Sequence, residues 1–301
     1  MSDIKLFRTS EAAVEELSSS AAPLERALQV LFERNLDALL GVRFLASEFV
    51  TSNGGRMDTL GIDENGCPVI IEYKRDRSES VINQGLFYLD WLMDHRGDFE
   101  LLVRDQLGKD AADAIEWSTP RLVCIAADFT RYDEHAVKQM GRNIELVRYR
   151  RFGGDLLLLE LLTAVSATSG AGSPGSNGTT AASYKTITQT IDGADPALVA
   201  LLDELETFIL SLGDDVTRKT LRYYVAFRRI KNLVCAELRT RQGALRLYLK
   251  LDPDTVELEE GFSRDVREVG HYGTGDLEVT IQTPEDLERA KPLLFRCYEA
   301  S

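Results

Sequence analysis

The sequence predicts an α/β N-terminal domain, a mixed sheet flanked by helices, followed by a smaller α+β domain. Three observations lead to this prediction. Segments with helical periodicity alternate with short apolar segments over residues 1–162. Residues 163–183 are rich in Gly, Ser and Thr and lack apolar periodicity, which is typical of a flexible linker. Residues 184–301 then combine helical and strand-like patterns in a shorter span.

The N-terminal domain begins with two predicted helices. The first lies near residues 10–19. The second spans residues 23–41, where Leu24, Leu28, Leu31 and Phe32 recur at helical spacing. Pro23 suits a helix start and Gly41 a helix end.

Strands and helices then alternate along the domain. The predicted strands are residues 43–50, 57–63, 68–74, 121–128 and 144–153, and the last of them leads into the apolar segment 155–162. The predicted helices are residues 80–95, 104–115 and 132–141.

The second domain starts with a predicted helix at residues 197–213. A basic helix or helix–turn is predicted at 217–231, followed by strands at 233–240 and 244–251. The tail, residues 275–300, is predicted to form one strand and one helix.

The composition is that of an ordinary globular chain. Hydrophobic residues make up 44% of the 301 positions, and no apolar run approaches the roughly 18 residues of a membrane helix. The first residues are polar and mixed in charge, so we expect no secretory signal and a cytoplasmic location. No motif for a nucleotide cofactor is evident. The four cysteines form no CxxC pair and are predicted to be buried reduced thiols.

The predicted hairpin between residues 57 and 74 brings charged side chains to the end of an apolar strand. A two-residue turn at Asn65–Gly66 would pair Asp58 with Tyr73 and place Asp58 and Glu72 on opposite faces. A three-residue loop ending at Gly66 would pair Asp58 with Glu72 instead. Such a loop needs a left-handed residue at its end, which glycine supplies, so we expect this second register.

In that register Asp58, Glu72 and Lys74 share one face. Two adjacent carboxylates repel each other, and one stays protonated unless a cation joins them. Magnesium is the natural candidate, because it prefers oxygen ligands. An ammonium group two residues beyond Glu72 could position water or stabilise negative charge. This chemistry is typical of metal-dependent phosphodiester hydrolysis.

The pattern of Asp58, Glu72 and Lys74 resembles the PD-(D/E)XK nuclease superfamily. Gln84 and Tyr88 add the QxxxY motif of its RecB-like and NucS-like branches. The resemblance covers residues 24–92 well and the rest of the domain loosely, and it implies a restriction-endonuclease-like core for the N-terminal domain. The Pro-Asp dipeptide of the superfamily is absent, since Met57 precedes Asp58.

The resemblance implies a Mg²⁺-dependent DNA endonuclease, with Mn²⁺ as a substitute ion, acting in defence against foreign DNA or in DNA repair. It implies Asp58, Glu72 and the Tyr73 carbonyl as metal ligands and Lys74 as the catalytic lysine. A helix glutamate would complete the site, with Glu33 as first candidate and Glu48 as second. Gln84 and Tyr88 would brace the site or contact DNA.

Each of these residues also has a structural interpretation. Either acid alone could be a solvent-facing strand residue paired with Arg56 or Lys74. Glu33 could belong to the solvent face of its helix, and Tyr88 to the core. The alternative function is therefore a catalytically inactive nucleic-acid-binding or protein-interaction protein that retains the nuclease fold.

The second domain resembles a bacterial domain of unknown function, sometimes labelled a predicted transport protein, and shows no catalytic constellation. The whole chain has a net charge of −14, yet residues 218–250 contain ten Lys or Arg and a single acid. This segment could bind phosphates, with tyrosines stacking on unpaired bases, or form a basic face balanced by acidic helices. The predicted nucleic-acid contacts are Arg218, Lys219, Arg222, Arg228, Arg229 and Lys231. The domain could otherwise mediate a homodimer.

Overall fold

The computed structural model describes residues 4–22, 24–74, 80–165 and 185–301. The chain forms two compact units. The first consists of Met1–Gly61, Pro68–Asp113 and Pro120–Val165, and the second of Ile62–Cys67, Ala114–Thr119 and Ser166–Ser301. The predicted fold class is confirmed, because a mixed sheet with helices forms the first unit and a smaller α+β arrangement forms the second.

Strands and helices are interspersed along the N-terminal half of the chain. The strands are β1 (Leu6–Thr9), β2 (Val14–Leu17), β3 (Ser19–Ser20), β4 (Val42–Val50), β5 (Arg56–Asp63), β6 (Pro68–Lys74), β7 (Arg121–Ala126), β8 (Ile144–Phe152) and β9 (Leu156–Val165). The helices are α1 (Glu25–Glu33), α2 (Leu36–Leu40), α3 (Ser80–Asp94), α4 (Arg96–Leu107), α5 (Lys109–Asp113) and α6 (Arg131–Gln139).

The main sheet has the order β3-β8-β7-β6-β5-β4, with β9 paired to β8. The strand β7 runs parallel to β6 and β8, while β9 and β3 are antiparallel to β8. In the central strands β6 and β7, residues 69–71 and 122–126 form apolar, fully buried runs, as expected for strands covered on both faces. A Cβ atom at Gly85 of α3 would lie 2.4 Å from Leu122, so this glycine permits close packing of α3 on the sheet.

The predicted helix near residues 10–19 is wrong. Strands β1 and β2 pair there as an antiparallel hairpin, with Leu6 opposite Leu17. The segment has helix-forming residues but no apolar stripe that a helix could bury, and Val14 stays 67% exposed. The predicted helix at 104–115 is two helices, because Gly108 adopts a φ of 89° between α4 and α5.

The second unit contains an antiparallel sheet covered by helices. Its strands are β10 (Thr217–Thr220), β11 (Val225–Arg228), β12 (Asn232–Arg239), β13 (Ala244–Leu249), β14 (Ser263–Asp265) and β15 (Leu277–Ile281), in the order β10-β11-β12-β13-β15-β14. Its helices are α7 (Ile187–Asp192), α8 (Pro196–Ser211) and α9 (Pro284–Glu299), with a 3₁₀ turn at Pro253–Thr255. Apolar side chains of α8 and α9, such as Leu205 and Leu294, share one core with the sheet.

The predicted basic helix at 217–231 is also wrong, because β10 and β11 occupy it. Val225 and Phe227 belong to one core cluster, whereas Tyr224 and Ala226 belong to another. Side chains of alternating residues therefore enter different cores, which is the two-residue period of a strand.

Two further predictions concern the linker and the cysteines. The first three residues of the predicted linker, 163–165, form the end of strand β9. The remaining linker residues, 166–183, lie outside the described residues. All four cysteines are buried and free, as predicted. Within the described ranges, no helix is both long and apolar enough to cross a membrane.

Candidate active site

The hairpin β5–β6 closes with the three-residue loop that the sequence predicts. The backbone N–H of Asp63 donates to the carbonyl of Cys67 at 2.9 Å, and the N–H of Gly66 donates to the carbonyl of Asp63 at 3.0 Å. Gly66 has a φ of 77°, in the left-handed region that favours glycine. Loop length fixes the register, so counting back from this closing pair places Asp58 opposite Glu72.

The carboxylates of Asp58 and Glu72 are held by the backbone of the hairpin. The N–H of Asp58 donates to Oε1 of Glu72 at 3.1 Å. The N–H of Tyr73 donates to Oδ2 of Asp58 at 3.0 Å. Each carboxylate therefore accepts a hydrogen bond from the backbone of the strand that carries the other acid, as expected for neighbours on one face of the sheet.

Burial makes both acids hard to ionise in the metal-free protein. The Glu72 side chain has no solvent exposure. Burial, followed by the negative charge of Asp58, raises the pKa of Glu72 to about 8. The pKa of Asp58 is also raised, mainly by burial, although the hydrogen bond from Tyr73 and the charge of Lys74 oppose the shift. Glu72 therefore holds a proton at neutral pH.

One oxygen of this pair is unsatisfied. Among the described residues, Oε2 of Glu72 is buried and has no hydrogen-bond partner. A buried unpaired oxygen is costly and indicates a missing proton donor, water or ion. No three His, Cys, Asp or Glu side chains of the described ranges are arranged to hold a metal ion. Two carboxylates with a backbone carbonyl and water remain a donor set that suits magnesium, which keeps several waters when bound.

The end of β6 carries Lys74, and an acid that the sequence did not single out contacts it. Nζ of Lys74 lies 3.1 Å from Oε1 of Glu25 at the start of α1. Glu25, Gln29 and Glu33 are spaced by four residues, so they form one polar stripe along the helix. That spacing is the sequence signal that identifies Glu25 as a site residue.

The rest of this stripe braces β5. Nε2 of Gln29 donates to the carbonyl of Asp58 at 2.7 Å and to Oε1 of Glu33 at 2.9 Å. The hydroxyl of Thr59 donates to the same oxygen of Glu33 at 2.8 Å. Glu33 thus contacts the residue after Asp58, whereas Glu25 contacts the lysine.

The second candidate glutamate, Glu48, points to arginines. Its carboxylate lies 3.1 Å from Arg26 and 2.8 Å from Arg56. Its backbone φ of 54° is unusual for a residue other than glycine. Its negative charge still reaches the site, since it contributes to the raised pKa of Asp58.

Gln84 and Tyr88 lie one turn apart on α3 and contact each other. Nε2 of Gln84 donates to the Tyr88 hydroxyl at 3.1 Å, and the same hydroxyl accepts from the N–H of Arg56 at 3.2 Å. Tyr88 is buried. A Cβ at Gly55 would lie 2.5 Å from the Tyr88 ring, so this glycine lets β5 begin against the ring. These contacts indicate that Gln84 and Tyr88 hold the start of β5 in place rather than contact DNA.

Two of the predicted phosphate contacts lie in the interior of the second unit. Lys219 and Arg228 are 5% and 4% exposed, and both face Asp63, at 3.8 and 3.9 Å. Their assignment as DNA contacts is corrected, because a buried cation beside a buried carboxylate cannot reach a phosphate.

The other four predicted contacts are more accessible. Arg218 is paired with Glu206 at 2.8 Å and Arg229 with Asp215 at 2.6 Å. Arg222 is exposed and Lys231 half-buried.

The second unit matches a described protein domain. A family described as "Domain of unknown function (DUF5655)" matches residues 187–301. This agrees with the resemblance of the C-terminal part to a domain of unknown function. A relative from Haemophilus influenzae (strain ATCC 51907 / DSM 11121 / KW20 / Rd), described as "Uncharacterized protein", is 28% identical over 300 residues and spans 97% of this chain and 98% of its own.

Three solved structures show partial similarity. A repair endonuclease from Pyrococcus abyssi is 19% identical with a TM-score of 0.28, over 41% of this chain and 46% of its own. A complex of EndoMS with double-stranded DNA is 20% identical with a TM-score of 0.29, over 44% and 47%. EndoMS in its apo form is 17% identical with a TM-score of 0.25, over 48% and 65%. This chain thus covers less than two thirds of each of these structures.

Proposed function

We propose that this chain is a Mg²⁺-dependent DNA endonuclease, with Mn²⁺ as a substitute ion, that acts in defence against foreign DNA or in DNA repair. The observation that carries the proposal is the buried, unsatisfied Oε2 of Glu72 beside Asp58. A protein rarely keeps a fully buried acid beside a second acid without a use, because burial and the neighbouring charge of Asp58 both raise the pKa of Glu72.

The donor set fits a divalent metal ion. Asp58, Glu72 and the carbonyl of Tyr73 would hold it, since a hard cation prefers oxygen ligands. When bound there, the ion would supply charge neutralisation at a phosphate oxygen and acidify a bound water.

The other side chains set up the surroundings of the reacting phosphate. Lys74 offers an ammonium group at the end of β6, where it can stabilise charge that develops on the phosphate. Glu25 orients that ammonium through its 3.1 Å contact. Gln29 holds the backbone of Asp58, and Tyr88 holds the backbone of Arg56 two residues earlier, so β5 cannot shift without breaking these hydrogen bonds.

The ion pair between Lys74 and Glu25 favours one alternative function, a protein that binds without cleaving. If this ion pair persists in the presence of DNA, the ammonium is diverted from the phosphate, and the chain would be a nuclease-fold protein that binds nucleic acid or another protein without cleaving it.

A cleavage assay with the full-length chain tests the proposal. Linear, circular and single-stranded DNA would be incubated with Mg²⁺, Mn²⁺ or a chelator. Cutting of circular DNA identifies endonuclease action. Glu72→Gln and Asp58→Asn should abolish cleavage and weaken Mg²⁺ binding measured by calorimetry, whereas Glu100→Gln, an exposed acid of α4, should change neither.

Two outcomes would decide against catalysis. Metal-dependent cutting that survives both substitutions would show that the acids are not the site. DNA binding without cleavage under any metal would support the non-catalytic alternative. Sedimentation of the same preparations would test the predicted homodimer.

A further inference from the structure

The second unit contains a cavity of about 510 Å³ that the proposed nuclease site does not use. This volume falls within the roughly 300–1,000 Å³ of small-molecule sites. Residues of β12, of the β12–β13 turn, of the β10–β11 connection and of the segment before β15 meet around it. The side chains that matter for its chemistry are Lys185, Tyr223, Glu237, Arg239, Arg241 and Tyr272.

The charged groups of the cavity favour an anion. Lys185, Arg239 and Arg241 contribute three cations, against the single acid Glu237. Glu237 is 3% exposed, and its Oε2 lies 2.5 Å from Nη2 of Arg239. Burial raises the pKa of Glu237, although the charge of Arg239 opposes the shift.

Arg239 has unused hydrogen-bonding capacity. Its Nε atom is buried and, among the described residues, has no acceptor. Glu237 and the hydroxyl of Tyr248 both interact with the guanidinium. The Arg239 side chain as a whole is 41% exposed, so the accessible part of the guanidinium, rather than the buried Nε, can meet a ligand in the cavity.

Two tyrosines give the cavity an aromatic wall. The rings of Tyr223 and Tyr272 lie 4.9 Å apart at an angle of 34°, and Tyr272 is 45% exposed. The guanidinium of Arg222 lies 5.1 Å from the centre of the Tyr223 ring. Exposed aromatic faces beside cations are the combination that bases and phosphates bind.

The wall that carries Tyr272 is held in place. The N–H of Tyr272 donates to Oε1 of Glu237 at 3.3 Å, and the neighbouring ring of His271 stacks on Tyr248 at 4.1 Å. A Cβ at Gly273 would lie 2.5 Å from Cys235, so only glycine allows this approach. Glu237 thus positions both Arg239 and Tyr272, and the cavity is formed before any ligand arrives.

We infer that this cavity binds a nucleotide, with the base against the Tyr223–Tyr272 wall and the phosphate at the Arg239 and Arg241 side. The nucleotide can be a free mononucleotide or an unpaired nucleotide of a DNA strand, because both present a flat ring beside a phosphate. The inference does not depend on the proposed cleavage reaction, since none of these residues belongs to the site of Asp58 and Glu72.

Calorimetry with the full-length chain in a chelator tests the inference without any cleavage. The probes are dAMP, dTMP, a short oligothymidylate and inorganic phosphate. We expect dAMP, the oligothymidylate or both to bind more tightly than phosphate. Binding of dAMP would identify a free nucleotide as the source, and binding of the oligothymidylate alone would identify a strand.

Two variants and two controls decide whether the cavity is responsible. Tyr272→Ala should weaken binding about tenfold or more, the scale of one lost base–aromatic stack. Arg241→Gln should weaken binding and reduce its dependence on salt. Phe295→Ala and Arg296→Gln, which change exposed residues of α9, should leave binding unchanged.

Three results would overturn the inference: no binding of any nucleotide probe, binding of phosphate as tight as that of the tightest nucleotide probe, or unchanged binding in both cavity variants. Melting curves confirm that the variants are folded. The Glu72→Gln variant should bind nucleotide like the wild type, so a failure of the nuclease proposal and a failure of this inference give different results.

Discussion

The ammonium of Lys74 lies 3.1 Å from the carboxylate of Glu25, so the cation that ends β6 is oriented by the first turn of α1. This relationship separates two roles. Lys74 is placed to act on a phosphate, and Glu25 is placed to act through Lys74. Substitutions at the two positions should therefore differ in size and in kind.

Replacing Lys74 by Met should lower cleavage by about 10²–10³-fold, the usual effect of losing one donor that stabilises transition-state charge. Glu25→Gln should have a smaller effect and shift the pH profile of cleavage, because the charge of Glu25 contributes to the raised pKa of both Asp58 and Glu72. Glu25→Asp should restore part of the wild-type profile. Equal losses for Lys74→Met and Glu25→Gln, with unchanged pH profiles, would contradict the positioning role.

The stability of the metal-free protein should fall as pH rises through the titration of Glu72. Its pKa is about 8 in the folded protein and 4.5 ordinarily, so between these values the folded state retains a proton that the unfolded state has released. The slope of stability with pH is therefore negative in this window and vanishes above it.

Glu72→Gln should remove this slope and be more stable than the wild type at a pH above 8, by on the order of a few kcal/mol. Urea denaturation in a chelator at several pH values measures the difference, with Glu100→Gln as control. If the difference in free energy of unfolding between wild type and Glu72→Gln does not change with pH, Glu72 is not buried as a neutral acid.

Tyr88→Phe should destabilise the first unit by about 1–2 kcal/mol, because the N–H of Arg56 and the amide of Gln84 lose their acceptor. Cleavage should fall with it, since β5 carries Asp58. Tyr132→Phe is the matched control, as that tyrosine is 67% exposed. Denaturation curves that coincide for Tyr88→Phe and the wild type would rule out the bracing role.

Asp63→Ala should destabilise the second unit by roughly 3–5 kcal/mol, because Lys219 and Arg228 would remain buried without their carboxylate. Asp254→Ala removes an exposed partner of Arg267 and should change stability far less than Asp63→Ala, because solvent screens an exposed ion pair. Chemical denaturation followed by circular dichroism compares the two. Similar losses for both variants would mean that the cations find other partners.

If the basic segment binds DNA, its accessible cations carry the contact. Arg222→Gln combined with Lys231→Gln should weaken DNA binding and lower the salt slope by up to about two. Fluorescence anisotropy at several salt concentrations measures both quantities. An unchanged slope in the folded double variant would remove this segment from the DNA-binding surface.

The sequence predicted the centre of the site because its determinants are local. Gly66 specified the loop, the loop specified the register, and the register brought Asp58 opposite Glu72. Gln84 and Tyr88 were placed on one helix face by their spacing alone. The role of Glu25 was missed, since it depends on how α1 packs on the hairpin.

Helices and strands were predicted poorly where the secondary structure depends on contacts between residues far apart in the sequence. Residues 217–231 read as a basic helix because Lys and Arg are good helix formers. The buried position of Lys219 opposite Asp63 requires a partner more than 150 residues away in the sequence. The β1–β2 hairpin was missed because strand pairing, not an apolar stripe, defines it.

The burial of all four cysteines gives the chain internal reporters of local opening. Burial raises the pKa of Cys67, Cys235 and Cys297 to about 12 and also raises that of Cys124, so almost no thiolate exists near neutral pH. An alkylating reagent can therefore react only when the surrounding structure opens. Cys124 in β7 reports on the sheet of the first unit, and the other three report on the second, so the labelling rate of each thiol measures how often its own region exchanges with an open form.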